Sequence, residues 1–464
     1  MKLFKKQTAL FWALFLLLLS ACGTTSANLA EIPFVPYDKI QGAPILHTFG
    51  WSFNEIAGNM ADIAAAGFGA VQTSPISECI TTHPYGGGVG MRISGTGGAW
   101  WYHYQPVSFR IGNYQLGTEE EFANMCRIAR EHGVKVIVDI VANHFTGAEV
   151  SSQIKDEVRN IPGGAYREQN ITDGDGRFRT TQSRLLSLLD TNTQNPYVQQ
   201  EYLKYLKRCV ELGASGFRFD AALHIELPED DRSYASNFWP VVLNNGSEFQ
   251  YGEILSRVEA ERYIPYMPVT DSAYGSSIVN SIRAGHLDAE FLKNYRVRAP
   301  AEKLVTWVES HDTYFNNHDT ADLTEKQIIY GWALLSARNG STPLYFNRPA
   351  WSSSSNVWGN DAIGRMGNNA WKSREIAALN NFKRASEGKD ELITNPAGSS
   401  RLMMIQRGDS AAVLINMGSR VTLNNVKTNL SDGVYTDLIS GNEFKVTEGA
   451  MTGTINARSV VVFY

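Results

Sequence analysis

Between positions 45 and 346 eight short apolar runs recur, at 45–50, 70–74, 134–141, 216–220, 249–254, 269–273, 304–309 and 343–346, with amphipathic helical stretches or loops between them. Runs this short that return through helices are strands lying parallel in one sheet, because a parallel neighbour needs a long crossover. Eight is the number that closes such a sheet into a (β/α)8 barrel, and the 464-residue chain leaves room for a smaller partner domain. Two intervening helices are clear. One runs over Glu119–Glu131 behind Thr118, with Glu121 completing a capping box and Phe122, Met125, Cys126 and Ala129 on one face. The other covers 197–212, carries Leu203, Leu206, Val210 and neighbouring tyrosines at helical spacing, and stops at Gly213.

Two irregular stretches, 76–117 and 145–187, break this rhythm and are rich in Gly, Asn, Ser and Thr. Long loops in a compact domain usually carry function, and the second is placed to form a small excursion over the barrel mouth after strand three. Beyond 388 the period changes to two, at 402–406, 411–416, 420–423, 433–437 and 459–464, which reads as an all-β sandwich. The expected organisation is a leader over 1–22, a tether over 23–40, a catalytic barrel over 41–387 containing the excursion 145–187, and a C-terminal sandwich over 388–464 that buttresses the barrel.

The leader has a basic start at Lys2, Lys5 and Lys6 and an apolar run over 9–19. Leu19-Ser20-Ala21-Cys22 resembles the bacterial lipobox, which makes Cys22 a lipid-bearing N-terminus; the alternative is an ordinary secretory cut within 26–30. Either way the protein is exported, at the cell surface or released, and touches a membrane only through such an anchor. The other cysteines, Cys79, Cys126 and Cys209, have no zinc-ligand spacing and read as buried free thiols. A net charge of -5 supplies no basic field for nucleic acid, and a monomer is expected.

In a barrel of this kind chemistry sits at the C-terminal strand ends. Four of those ends carry carboxylates: Asp139-Ile140-Val141-Ala142-Asn143-His144, Gly216-Phe217-Arg218-Phe219-Asp220, Tyr251-Gly252-Glu253 and Glu309-Ser310-His311-Asp312. Any one alone reads as an ion pair or a helix cap; four at corresponding strand ends do not. These segments resemble the four signature regions of the α-amylase family, in order and spacing. Gln72-Thr73-Ser74-Pro75, Asn192-Thr193-Gln194-Asn195 and His224-Ile225-Glu226-Leu227-Pro228 extend the likeness toward its bacillus-type members.

The resemblance implies a retaining endo-hydrolase of α-1,4-linked glucans, acting on starch, glycogen or maltooligosaccharides, with Asp220 as nucleophile, Glu253 as general acid and base, and Asp312 as transition-state stabiliser. Such chemistry needs one carboxylate charged and one protonated. Arg218, two residues before Asp220 on the same strand face, can hold Asp220 ionised, and Asp312 can help keep Glu253 protonated. By the same resemblance His144 and His311 bond sugar hydroxyls, and Trp101 and Tyr104 offer stacking faces. A calcium ion is implied too, held by Asn143, Asp190 and the carbonyls of Thr181 and His224, oxygen donors that suit it. Leu223 replaces a lysine that the family places against the leaving-group sugar, and Ser310 and Pro343 differ from the residues of chloride-dependent members. Two other readings stand beside this one: a transglycosylase on the same fold, and a non-catalytic glucan-binding surface protein, against which the complete carboxylate set argues.

Overall fold

The computed structural model describes residues 36–86, 99–172, 174, 176–316, 318–360 and 363–464. The leader, Cys22 and most of the expected tether lie outside the described residues.

Eight parallel strands close a barrel: β1 (Ile45–His47), β2 (Ala70–Gln72), β3 (Lys135–Val141), β4 (Gly216–Asp220), β5 (Phe249–Gly252), β6 (Val269–Thr270), β7 (Leu304–Trp307) and β8 (Thr342–Phe346). Each strand pairs with its neighbour in sequence, and β8 closes onto β1 through Ile45 opposite Leu344. The eight runs expected from sequence are all here, although several end sooner. The 249–254 run ends sooner: Glu253 N–H still donates to Phe219 O of β4, but Ile254 N–H turns to the Thr270 side-chain Oγ1, each at 2.9 Å. These departures aim the polar residues at strand ends into the mouth.

The interior is filled by Ile45, Ala70, Ile137, Tyr251, Val305 and Leu344, and a second apolar layer joins the outer barrel face to the helices. Helix α1 (Glu119–Glu131) has the Thr118 and Glu121 capping box and buries Phe122, Met125, Cys126 and Ala129. Helix α2 (Pro196–Glu211) begins one residue earlier than expected, since Pro196 occupies the first turn behind the Asn195 cap. Its buried stripe is Tyr202, Tyr205, Leu206 and Cys209, while Leu203 and Val210 are only half-buried at its edges. Gly213 then turns the chain at φ 114, where a Cβ would stand 2.8 Å from Cys126 Cβ. Cys79, Cys126 and Cys209 are buried free thiols.

The excursion after β3 is pinned to the barrel by a short antiparallel pair, His144–Gly147 with Leu188–Asp190. The C-terminal module consists of two four-stranded sheets. One holds β9 (Glu391–Thr394), β10 (Leu402–Arg407), β11 (Ala411–Asn416) and β16 (Ser459–Phe463); the other holds β12 (Val421–Lys427), β13 (Gly433–Thr436), β14 (Glu443–Thr447) and β15 (Ala450–Ile455). Strands β9, β14 and β15 escape the sequence reading. In β10, Leu402 and Met404 pack between the sheets while Met403 and Ile405 join the barrel's outer core, so the first sheet is buried on both faces. Among the described residues no helix is long and apolar enough to cross a membrane.

Candidate active site

The site is organised by the register of β3 and β4, which sets Asp139 directly opposite Arg218. Arg218 Nη1 donates to both Asp139 oxygens at 2.7 and 2.6 Å and to Asp220 Oδ1 at 3.1 Å. Its Nη2 lies 2.5 Å from Glu253 Oε1, so one buried guanidinium serves three carboxylates. Just past Asp220 the backbone turns left-handed at Ala221 (φ 47), which costs an L-residue about 1 kcal/mol or more. The turn sends Ala221 N–H to Glu253 Oε2 at 3.1 Å. The end of β4 and the end of β5 are therefore fastened to each other at Asp220 and Glu253.

Asp312 arrives differently. Ser310 caps the short helix His311–Phe315, whose first turn carries Asp312, and Asn316 Nδ2 donates to Asp312 Oδ1 at 2.7 Å. Asp312 lines the same cavity as Asp220 and Glu253.

Asp139, Asp220, Glu253 and Asp312 share the single cation Arg218. Burial pushes Asp139 up to about 6 and raises Asp220 and Asp312, with Arg218 opposing in each case. The imidazoles go the other way: burial drives His311 down to about 3 and His144 to about 4. Burial thus favours the protonated form of these carboxyl groups and the neutral form of the imidazoles.

The remaining expected residues line a cleft of about 650 Å3 above these groups, among them Trp101, Tyr104, His144, Leu223 and His311. Tyr104 donates its hydroxyl proton to Asp139 Oδ2 at 3.0 Å and stacks on His311 at 5.6 Å and 17°. The Nε2 atoms of both expected sugar-binding histidines are already engaged on Tyr104, that of His144 with its carbonyl at 3.1 Å and that of His311 with its hydroxyl oxygen at 3.2 Å. In this structure they hold the Tyr104 face in place. Two contributors escaped the sequence reading: Asp139, which anchors Arg218, and Asn316, which holds Asp312. The first was visible as a strand-end carboxylate; the second carries no motif signal.

The four residues expected to hold a metal come from segments that meet. Thr191 N–H donates to Asn143 O at 2.9 Å, Asp190 is the bridge partner of His144, and His224 Nδ1 donates to Thr180 O at 2.9 Å beside Thr181. Arg167, also unanticipated, reaches the Asp190 carboxylate, Thr191 O at 2.8 Å and Glu226 Oε1 at 2.6 Å. Asp190 and Glu226 are thus two buried carboxylates on one guanidinium, and burial, with Arg167 opposing, raises Asp190 to about 7. Among the described residues no three His, Cys, Asp or Glu side chains cluster as metal ligands. The donors here are one carboxylate, an amide and two carbonyls, a set that fits a hard cation such as calcium and not a thiophilic metal.

No family model matches the chain. It is 39% identical to an alpha-amylase of Butyrivibrio fibrisolvens over 94% of its own length and 48% of the relative's, and 34% identical to an alpha-amylase of Clostridium acetobutylicum over 95% and 56%. The chain therefore spans about half the length of these curated relatives. Among solved structures, alpha-amylase I of Eisenia fetida, in a mutant complexed with maltohexaose, superposes with a TM-score of 0.72 at 20% identity, covering 93% of this chain and 99% of that one. A gamma-CGTase of an alkalophilic Bacillus clarkii superposes at 0.70 and 16% identity, over 92% of this chain and 70% of that one.

Proposed function

We propose that the chain is a member of the α-amylase family, an endo-acting glycoside hydrolase that cleaves α-1,4-glucosidic bonds of starch-type glucans and maltooligosaccharides with retention of configuration; its 39% and 34% identity to two alpha-amylases over nearly its whole length supports this reading. The observation that carries this reading is the crowding of Asp220, Glu253 and Asp312 around Arg218 at the floor of an open cleft.

Asp220, fixed by Arg218 Nη1, attacks the anomeric carbon as Glu253 gives its proton to the departing glycosidic oxygen. One C–O bond breaks and an ester to Asp220 forms. Glu253, now a carboxylate beside Arg218 Nη2, takes a proton from water, whose oxygen displaces Asp220 from the same carbon. Asp312 supplies negative charge while the ring carries positive charge, and accepts a proton less readily once it faces that cation. Tyr104, braced by Asp139, His144 and His311, gives the ring a fixed face to lie on.

Calcium is the cation we assign to Asn143, Asp190 and the carbonyls of Thr181 and His224. Held there, the ion would tie the excursion to β3 and to the turn after Asp220, a structural role outside bond cleavage. The leader and Cys22 make the protein an exported one, anchored by lipid, and the barrel and its buttressing module act as a monomer. Proton NMR of the first products from maltopentaose decides the mechanism: α anomer is expected, and an early β anomer overturns the covalent role of Asp220.

A further inference from the structure

A second cavity, of about 200 Å3, lies away from the cleft. Its lining residues Gly42, Glu302 and Gly340 each precede a barrel strand, so it sits at the N-terminal strand ends, where the barrel meets β10 of the C-terminal module through Arg407. Three cations border it, Arg338, Lys383 and Arg407, each at most 5% exposed. Arg338 is paired with Glu391 at 3.1 Å. Among the described residues the other two make no ion pair. Arg407 spends its guanidinium on the carbonyls of Ala337, Ser386 and Lys389 and on the side-chain oxygen of Asn339. Lys383 donates once, to Arg338 O at 2.9 Å, whereas an ammonium has three protons to give. Two donors of a buried ammonium are thus left without a protein acceptor. The backbone amides of Gly340 and Gly388, on the same lining, also donate to no acceptor among the described residues.

Carboxylates do stand at the rim, but they are engaged or wet. Glu387 is shared between Lys39, at 3.7 Å, and Arg384, and Glu302 is exposed to water, which screens it. The buried charge bordering the cavity is therefore a positive surplus, answered only by the partial charges of carbonyls, and an unpaired buried cation is costly. We propose that this cavity is an anion site, which takes one tetrahedral oxyanion of the sulfate or phosphate class with Lys383 as its charged ligand and so fastens the C-terminal module to the barrel. Such an ion offers several acceptors at once to the spare Lys383 protons and to the glycine amides, and the volume admits it together with bound water. Burial, then the fields of Arg407 and Arg338, bring the Lys383 ammonium down to about 7, with Glu391 and Glu387 opposing. An anion reverses that field, so above pH 7 its binding is accompanied by proton uptake on Lys383.

Sulfate is the probe, because it does not titrate between pH 6 and 8, and chloride at matched ionic strength is the control. Calorimetric titration of the wild type is expected to show one sulfate site per chain, with no such site for chloride. At pH 8, titrations in two buffers of different ionisation enthalpy should report uptake of close to one proton per sulfate bound, and at pH 6 much less. Lys383→Met should bind sulfate at least about tenfold more weakly, the loss expected for a charge-assisted hydrogen bond. Sulfate stabilises folded proteins in general, so the rise in melting temperature that survives in Lys383→Met measures that general effect, and the wild type should exceed it. No sulfate site in the wild type, or equal affinity in the variant, overturns the proposal. If Lys383→Met does not fold, the wild type decides alone: proton uptake at pH 8 supports Lys383 as the ligand, and sulfate binding without proton exchange refutes it.

Discussion

Charge is buried at both ends of the barrel, and the two ends treat it in opposite ways. At the mouth Asp139, Asp220, Glu253 and Asp312 crowd one guanidinium, and burial raises three of them, so the carboxylates compete for a proton. On the far side, where the barrel meets the C-terminal module, buried cations outnumber carboxylates: Arg338 pairs with Glu391 at 3.1 Å, and Arg407 and Lys383 are answered mainly by carbonyl oxygens. Arg407 donates to Ala337 O at 3.2 Å, Ser386 O at 2.8 Å and Lys389 O at 3.1 Å. Lys383 donates to Arg338 O at 2.9 Å. Those carbonyls end or follow helices α3 (Glu325–Ala337) and α4 (Arg374–Ala385), where the dipole is negative and oxygens lack helical partners. A charge that completes the bonding of its neighbours is structural. One that remains in surplus after every available bond is made is held for reaction.

That contrast predicts that a mutation at the mouth costs rate and one at the far end costs stability. The largest effect is expected from Glu253→Gln, which removes the transferable proton with almost no change of shape. Starch hydrolysis, followed by reducing ends, should fall by about a hundredfold to ten-thousandfold. The melting temperature should hold or rise, since one crowded acid is gone. Near-normal turnover would place the acid elsewhere. The converse change is Arg407→Met, which leaves several buried carbonyls without donors and should cost about 3 kcal/mol in urea unfolding. Its kcat at temperatures where it stays folded should match the wild type. An Arg407→Met protein with normal stability but poor turnover would erase the distinction between the two ends.

What could be read from sequence follows the same divide. The strands of the barrel were legible because each is a short apolar run closed by a polar residue, and Asp220 and Glu253 were legible because they close β4 and β5, whereas Asp312 sits on the short helix beyond β7. Arg218 was legible as a partner of Asp220 through the period of two along β4. Its stronger commitment to Asp139 was not, because the register between β3 and β4 is set by three-dimensional closure. Arg167 lies in an excursion without periodicity, 23 positions from Asp190, so nothing local ties the two. Strand β15 was missed because Ala450, Thr452, Gly453 and Thr454 dilute its apolar signal. Gly453 is there for space, since a Cβ would stand 2.4 Å from the Phe444 ring.

Calcium tests a boundary case, a cluster near the mouth where two buried carboxylates share one guanidinium. Asp190 and Glu226 both pair with Arg167, and burial raises Asp190 to about 7. If a cation completes them, free calcium at about a hundred times its dissociation constant adds about 2.7 kcal/mol of stability. Chelation should lower the melting temperature, with recovery by calcium and poorer recovery by magnesium, which demands a tighter octahedral shell. Dialysed protein that contains no calcium and melts identically with and without chelator would mean that Arg167 alone closes this cluster.

The smallest expected effect concerns how completely the far end satisfies its cations. Lys383 is buried, and burial together with Arg407 and Arg338 brings its ammonium from 10.5 down to about 7, with Glu391 and Glu387 opposing. The unfolded chain keeps that proton up to about pH 10.5, while the folded protein releases it near 7. Between those values the unfolded state binds more protons, so this group makes stability rise with pH, by at most ~1.4 kcal/mol per unit and by about half of that near its folded pKa. Below pH 7 the lysine is charged in both states and contributes no slope. Lys383 also borders a cavity of about 200 Å3 shared with Tyr37, Arg338 and Arg407, where a neutral amine is easily accommodated. Urea unfolding at pH 6, 7, 8 and 9 should therefore show a wild-type stability that climbs relative to Lys383→Met above pH 7, with the two curves parallel below it. If the difference is flat across the range, the carbonyl of Arg338 and the helix dipole keep Lys383 charged, and the far end holds its cations as firmly as the mouth holds Arg218.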